Sequence, residues 1–580
     1  MAVKFVIGRA GTGKTAWCFE RIVQSIRRQP LGAPIYWILP RQATFVAERA
    51  LACGSGLGGY FRARVLSFED LGSEILAECG GAALPEITDR GRRMILGHLL
   101  RRLHEQLRFF RSVAHHPGVA AELDATFAEL ERAGQEAVGI ERQLTDTAAS
   151  PALHAKIHDL ALIYSHYVKF LGQDRIDPNR RLAEALAAIG RCRSLPQAEV
   201  FIDSFYDFTG SERKVIAALG KVCKSASITL MLDPGSPCIA NPHHVPDEMS
   251  PFHRCEQAYR KLWFTLQEEG VEVLEPALLK QPRRFKGRRL AMLERLFFPS
   301  PGLGAKGPDE PDDRTIQLVE APDYQAEVDA VARWIRMLVA GGMRYRDVVV
   351  LMRSQQDYQH FLEASFHEHN VPFFADRRRS ASHHPLLRLI RAVLAVATSN
   401  WSHDSMMAVI KTGLVGLTES DADALENYVL LHGIDHGTWI SPQPWTGRRA
   451  RGEESDAVWV DDAPAMDALR RGLMDRLQPF VQSTAARQGT SVASLASAIF
   501  RLLEDFHCRD QIVQWMDRAA DAGELEERGE HERVWDELVK LFDELVDLFG
   551  DEAISLKDFS AILDSALEGF DLALTPPTVD

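Results

Sequence analysis

The chain lacks closely spaced cysteines, a surplus of basic residues and any apolar run long enough to span a bilayer. Its eight cysteines stand at 18, 53, 79, 192, 223, 238, 255 and 508, with no CxxC pair. That scatter argues against a disulfide scaffold and suits a reducing cytoplasm. Without an apolar stretch of about 20 residues, no membrane span is expected. Met1 leads straight into a short apolar run, with no basic leader and no cleavage site, so no secretory signal is expected and the chain is assigned to the cytoplasm. The cluster Cys238, His243, His244, His253 and Cys255 fits no standard zinc spacing and lies in a segment rich in Pro and Asp, which reads as a polar surface loop. Nor is the chain basic, with a net charge of −14. Net charge governs solubility and long-range steering, however, and local patches can still neutralise phosphates. Two basic stretches stand out, Arg90 to Arg111 and the group Arg283, Arg284, Lys286, Arg288 and Arg289, whereas acid concentrates from Asp517 to Asp551.

What is present is an ordinary globular composition, 46% hydrophobic and 26% charged over 580 residues, too long for a single core. Residues 3–7 (VKFVI), 34–39 (PIYWIL) and 64–68 (RVLSF) read as short buried strands separated by helices at Thr15 to Arg28 and Phe45 to Leu51. From Asp89 to about Ala188 the pattern turns to long amphipathic helices, with Met94, Leu96, Leu99, Leu100 and Leu103 on one face. Strand signals return at 199–203 (EVFID) and 227–233 (SITLMLD). The expected fold class is α/β with parallel sheets and crossover helices. The divisions expected are a first α/β lobe over 1–88 and 196–298, interrupted by a helical insertion over 89–195, and a Pro/Gly/Asp-rich linker over 299–314. A second α/β lobe follows over 315–395, with strands at Ile316 to Val319 and Asp347 to Met352. A second helical insertion covers 396–565, and 566–580 begins a return to the second lobe.

Gly8-Arg9-Ala10-Gly11-Thr12-Gly13-Lys14-Thr15 matches GxxxxGK[ST] without mismatch. Glycines at these places let backbone N–H groups turn inward around phosphate oxygens, beside a helix N-terminus that favours anions. Lys14 would reach the β/γ-phosphates, and the Thr15 hydroxyl would hold Mg²⁺, so ATP and Mg are the expected cofactors. Hydrolysis also needs a carboxylate at a neighbouring strand end and an acid to activate water. Asp203, ending the strand Val200 to Asp203, is placed for the metal. The next residue is Ser204, whose hydroxyl cannot accept a proton from water at neutral pH, and Asp207 is a weak substitute. Nucleotide binding with poor hydrolysis is the expectation, and no residue is assigned a catalytic role.

Several segments together resemble the AddB family of ATP-dependent helicase–nuclease subunits: KFVIGRAGTGKT, YWILPRQATF, RARVLSFEDL, FIDSFYDFTGSE, VEAPDYQAEVDAVARWI, DVVVLMR and VPFFADRRRSASHHPLL. The resemblance implies a UvrD-like architecture of two RecA-like P-loop lobes, each with a helical insertion. It also implies a heterodimer with an AddA-like helicase–nuclease subunit, acting on single-stranded and double-stranded DNA ends for recombinational repair. The segment after Asp233 lacks the phosphate-sensing glutamine of true helicases. By the same resemblance Gln42, Thr44, Ser67, Phe68, Phe205 and Phe208 would lie along a single strand, and Gln42 and Thr44 fit the reading of a hotspot sequence. Asp70, where relatives more often carry a basic residue, does not. Arg377 and Arg378, with Arg379, would line the strand channel, and Arg353 would touch nucleotide. Full-length members continue into a nuclease domain with a four-cysteine iron–sulfur cluster. Residues 1–580 are therefore expected to carry no cluster and no nuclease, either as a fragment or as a truncated gene product. Two other readings stay open: an active UvrD-like superfamily 1 helicase or ATPase, and a small-molecule kinase. The size and the two α/β lobes count against the kinase.

Overall fold

A computed structural model describes residues 2–79, 85–133, 150–172, 175–285, 287–296, 315–374, 378–447, 449–451, 458–460, 462–485, 490–567 and 571–573. Two compact units form. The first comprises Met1–Thr88 and Ala125–Leu318, the second Asp89–Asp124 and Val319–Asp580.

The first unit is built on a six-stranded sheet. Its early elements are β1 (Ala2–Gly8), α1 (Lys14–Arg28), β2 (Ile35–Ile38), α2 (Arg41–Gly54), β3 (Ala63–Leu66) and α3 (Phe68–Glu78), and its later strands are β4 (Glu199–Ile202), β5 (Ser225–Leu230) and β6 (Glu272–Leu279). The order is β3-β2-β4-β5-β1-β6, and every pairing is parallel. Helices cover both faces of such a sheet, so its inner strands are apolar throughout: all four residues of β2 are buried, as are Val3, Phe5, Val6 and Ile7 of β1. Trp37, Cys18, Ile22 and Phe201 pack on one side, and Phe5, Tyr36, Val200, Ile216 and Leu262 on the other. The five strands expected in the first lobe all form. β6, at the edge, was not foreseen.

The second unit is mainly helical. The helix Asp89–Arg102 packs on Leu556–Leu567, where a Cβ at Gly97 would lie 3.0 Å from Ser565 Oγ. The helix Pro385–Ser399 buries Leu386, Leu389, Ile390 and Val393. A smaller core of Val328, Ala332, Ile335, Phe366 and Val371 joins Tyr324–Ala340 to Gln355–Glu368. Helices Tyr324–Ala340 and Gln355–Glu368 thus form, but the strands expected at Ile316 to Val319 and Asp347 to Met352 do not. Neither 316–319 nor 348–352 is hydrogen-bonded into a sheet, and Leu318, Val349 and Leu351 are exposed. A strand is fixed by its neighbours' backbones, and these two segments have no such neighbours among the described residues. The described sheets of this unit are three antiparallel pairs, Arg378–Ser380 with Asp571–Ala573, Thr490–Ser491 with Ala553–Ile554, and Arg449–Arg451 with Val458–Val460. The expected linker, 299–314, lies outside the described residues.

Candidate nucleotide site

β1 ends at Gly8 and α1 begins at Lys14, with the glycine loop between them. Gly11 (φ 73°) and Gly13 (φ 90°) take left-handed backbone that side chains disfavour. Gly8 is required for a different reason, since a Cβ there would stand 2.8 Å from the carbonyl oxygen of Leu279 in β6. Gly13 caps α1 without any side-chain bond, so the first N–H groups of the helix keep no side-chain acceptor. This is the arrangement that receives an anion. Lys14 Nζ bends back onto the loop, donating to the carbonyls of Gly8 (2.8 Å) and Arg9 (3.0 Å). Burial lowers its pKa, and the charge of Asp203 opposes that shift. Thr15 is exposed at the helix start.

Around the loop lie groups that sequence reading recorded only as a basic stretch or left aside. The backbone N–H groups of Arg283 and Arg284 both donate to Gly11 O, at 2.8 and 3.1 Å, and the Phe285 ring lies against Gly11. Arg9 Nη1 donates to Asp233 Oδ2 and its Nε to Glu294 Oε1, each at 2.9 Å, while its guanidinium sits 5.2 Å from the Phe252 ring centre. The segment after β6 is thereby held to the loop at two points.

Asp203 stands at the end of β4, 1% exposed. β5 lies between β4 and β1, so the expected neighbouring strand is the next but one. Thr229 of β5 bridges that gap by donating to Asp203 Oδ1 at 2.5 Å. The other carboxylate oxygen, Oδ2, is buried with no hydrogen-bond partner. A buried carboxylate oxygen without a donor is costly, and this one fits a cation. Ser204, exposed and with φ 68°, offers no base. Asp207 Oδ1 accepts from the backbone of Phe208 at 2.8 Å. Because a left-handed non-glycine residue stores about 1 kcal/mol or more, Ser204→Gly is expected to raise stability by about 0.5–1 kcal/mol in urea titrations, and no gain would show that the site tolerates Ser204 without strain.

Of the residues expected on DNA, Gln42 is exposed on α2, and Thr44 donates from Oγ1 to Arg41 O at 2.9 Å. Ser67 is buried as the cap of α3: its Oγ accepts from Asp70 N (3.1 Å), and Asp70 Oδ2 accepts from Ser67 N (3.0 Å). That box also accounts for the acid at position 70. Phe68 and Phe208 are buried in the core at 4% and 3% exposure. Phe205, partly buried, packs on both, with ring centres 5.2 Å from Phe68 and 5.5 Å from Phe208. The core packing of Phe68 and Phe208 leaves no face for a base, whereas Tyr206 and Phe45, which sequence reading did not single out, are 58% and 69% exposed. Arg353 is exposed in the second unit, just before Gln355–Glu368. Arg377 and the side chain of Arg378 lie outside the described residues. In the histidine and cysteine segment, the Cys238 thiol donates to His244 O at 3.7 Å, His243 packs on Phe264, and His253 engages Asp247 O and Gln257.

Comparison with known proteins gives a family model, described as "ADDB, N-terminal", matching residues 5–294. Along its whole length the chain is 36% identical to the B-type subunit of the ATP-dependent helicase/deoxyribonuclease of Desulforudis audaxviator, 35% to that of Symbiobacterium thermophilum and 34% to that of Heliobacterium modesticaldum. The matches cover 50%, 50% and 48% of those proteins, so the chain spans about half the length of the curated relatives it matches.

Proposed function

This chain belongs to the AddB family, and on that premise we propose that it forms the nucleotide- and DNA-binding part of an ATP-dependent helicase/deoxyribonuclease subunit. The subunit pairs with an AddA-like partner and processes double-strand DNA ends for recombinational repair, its nuclease lying outside these residues. The observation that carries the nucleotide reading is the bare carboxylate oxygen of Asp203, buried within the electrostatic reach of Lys14. Gly8 to Thr15 wrap the phosphates, with Lys14 moving from the carbonyls of Gly8 and Arg9 to phosphate oxygens. Arg283 and Arg284, anchored through their backbone at Gly11, add positive charge beside the loop. Thr15 and Asp203 hold Mg²⁺, which when bound neutralises phosphate charge. With Ser204 in place of an acid, no side chain at the end of β4 takes the proton from water, and ATP turns over slowly.

On the DNA side, Gln42 and Thr44 grip the strand, with Phe45 and Tyr206 as the exposed rings able to stack on bases. Residues 315–395 form the second RecA-like lobe, and 396–565 its helical insertion. Arg353, Arg377 and Arg378 remain its nucleotide and DNA residues.

The nucleotide reading is tested by titrating the full chain with a fluorescent ATP analogue in Mg²⁺. Lys14→Ala is expected to bind at least about 100-fold more weakly, near 2.7 kcal/mol. Asp203→Asn is expected to lose the Mg²⁺-dependent part of the affinity and keep the rest. Unchanged affinity in Lys14→Ala would refute the site, and fast turnover stimulated by single-stranded DNA would favour an autonomous motor. Tyr206→Ala is expected to weaken binding of an oligonucleotide by about 1–3 kcal/mol, read by fluorescence anisotropy, whereas a Phe68→Leu substitution that weakened it more would return the role to the buried ring.

A further inference from the structure

Away from the nucleotide loop, the first unit holds two thiols in contact. Cys79 ends α3, and Cys192 follows the short helical turn Ile189–Arg191; their sulfur atoms are 3.3 Å apart. Their flanking residues fix the approach. Glu78 Oε1 accepts the backbone N–H groups of Arg193 (2.6 Å) and Ser194 (3.0 Å), and Glu78 Oε2 accepts from Ser194 Oγ at 2.5 Å. Both thiols also meet the carbonyl of Ala188, at 3.6 and 3.8 Å. Cys79 is half-buried and therefore reachable, whereas Cys192 lies in the core.

We propose that Cys79 and Cys192 are a modification site that closes reversibly into a disulfide. With glutathione disulfide as oxidant, the Cys79 thiolate attacks one sulfur, and one glutathione leaves as its thiol. The Cys192 thiolate then attacks Cys79 Sγ and releases the second. Two cysteine thiols are oxidised, one glutathione disulfide is reduced to two thiols, and the two cysteine protons pass by way of solvent to the two leaving thiolates. Burial, and then the bond to Cys79, push the Cys192 thiol upward in the reduced pair; burial persists in the mixed disulfide, so the second attack quickens with rising pH. The loop closed by the bond contains Asp89–Asp124, which belongs to the second unit. A disulfide therefore joins the first unit across the place where its chain departs and returns.

The full chain is incubated with glutathione disulfide in native buffer, unfolded, alkylated and mapped without reduction. The expected product is a peptide pair linked through Cys79 and Cys192, while exposed Cys53 takes up glutathione as a mixed disulfide and serves as the control. Cys192→Ser is expected to leave glutathione on Cys79, and Cys79→Ser to leave Cys192 fully alkylated. Wild-type protein in which Cys53 is modified but Cys79 and Cys192 both remain thiols, or in which Cys79 retains glutathione, would overturn the proposal. The oxidised wild-type chain is also expected to melt a few degrees higher than the reduced one, a difference absent in Cys79→Ser. An unmoved midpoint would overturn the stapling role.

Discussion

Replacing Arg470 by alanine is expected to remove about 3–5 kcal/mol from the stability of the second unit. The side chain is 4% exposed and belongs to the helix Ala463–Ala485. Its guanidinium donates to Asp467 Oδ1 through Nε (2.9 Å) and Nη2 (2.6 Å), and through Nη1 to the carbonyls of Trp439 and Ser441, both at 2.8 Å. It also lies 5.3 Å from the centre of the Trp445 ring. Truncation leaves two carbonyls without this donor and takes from the buried Asp467 carboxylate its closest partner, leaving it Arg471 (2.8 Å) and Trp445 N (3.3 Å), and each unmade bond carries its desolvation cost. Lysine keeps the charge but not the planar fork, so Arg470→Lys should recover only part of the loss. Removing both partners, in Arg470→Met with Asp467→Leu, should cost less than Arg470→Ala alone, because the charge then left unpaired, Arg471, is half exposed rather than buried. Urea unfolding of the four proteins, followed by tryptophan fluorescence, measures these differences. A loss below about 1 kcal/mol in Arg470→Ala would show that the group is already solvated.

Acid is expected to weaken the same unit through a second buried pair. His384 caps Pro385–Ser399, its Nδ1 accepting from Leu386 N at 3.2 Å, which places its proton on Nε2, 2.9 Å from His531 Nδ1. Around them stand Glu527, 3.7 Å from His531 Nε2, and the Trp515 ring. Burial, and then the neighbouring His531, hold the His384 pKa down to about 3. The unfolded chain takes up this proton below about pH 6.5, and the folded chain does not until near pH 3. The contribution is thus complete above about pH 6.5 and lost as pH falls, at about 1.4 kcal/mol per unit. Between about pH 6.5 and 4.5 the unit should lose about 2–3 kcal/mol from this residue. His384→Asn, which can cap the helix but not titrate, should flatten that slope in urea titrations at successive pH values. An equally steep slope in the variant would assign the acid sensitivity to other groups.

The first unit was readable because a parallel sheet covered on both faces needs continuous apolar runs, and VKFVI, PIYWIL and EVFI are such runs. β6 escaped because an edge strand has no such need. Its sequence, EVLEPALL, carries exposed acids and Pro276, and its register against β1 shifts between Lys4 and Val6. The runs at 316–319 and 347–352 carry a strand pattern, but pairing depends on distant backbone that local sequence does not specify. The same limit applied at the candidate site. Asp203 was legible as an acid closing an apolar run, whereas its bridge to Thr229 and the anchoring of Arg283 and Arg284 at Gly11 join residues far apart in the chain. Among the aromatics FYDF gives no phase, so which rings face the core and which face solvent emerged only from packing.

The strand order has a consequence for the making of the protein. β1, which carries the glycine loop, lies between β5 and β6, and both are translated after residue 224. At about 5–20 residues per second, Gly8 leaves the ribosome roughly 15–50 s before Leu279 follows it. For that interval Val3 to Ile7 of the nascent chain are an apolar segment without either of its neighbouring strands, open to mispairing until β5 and β6 arrive.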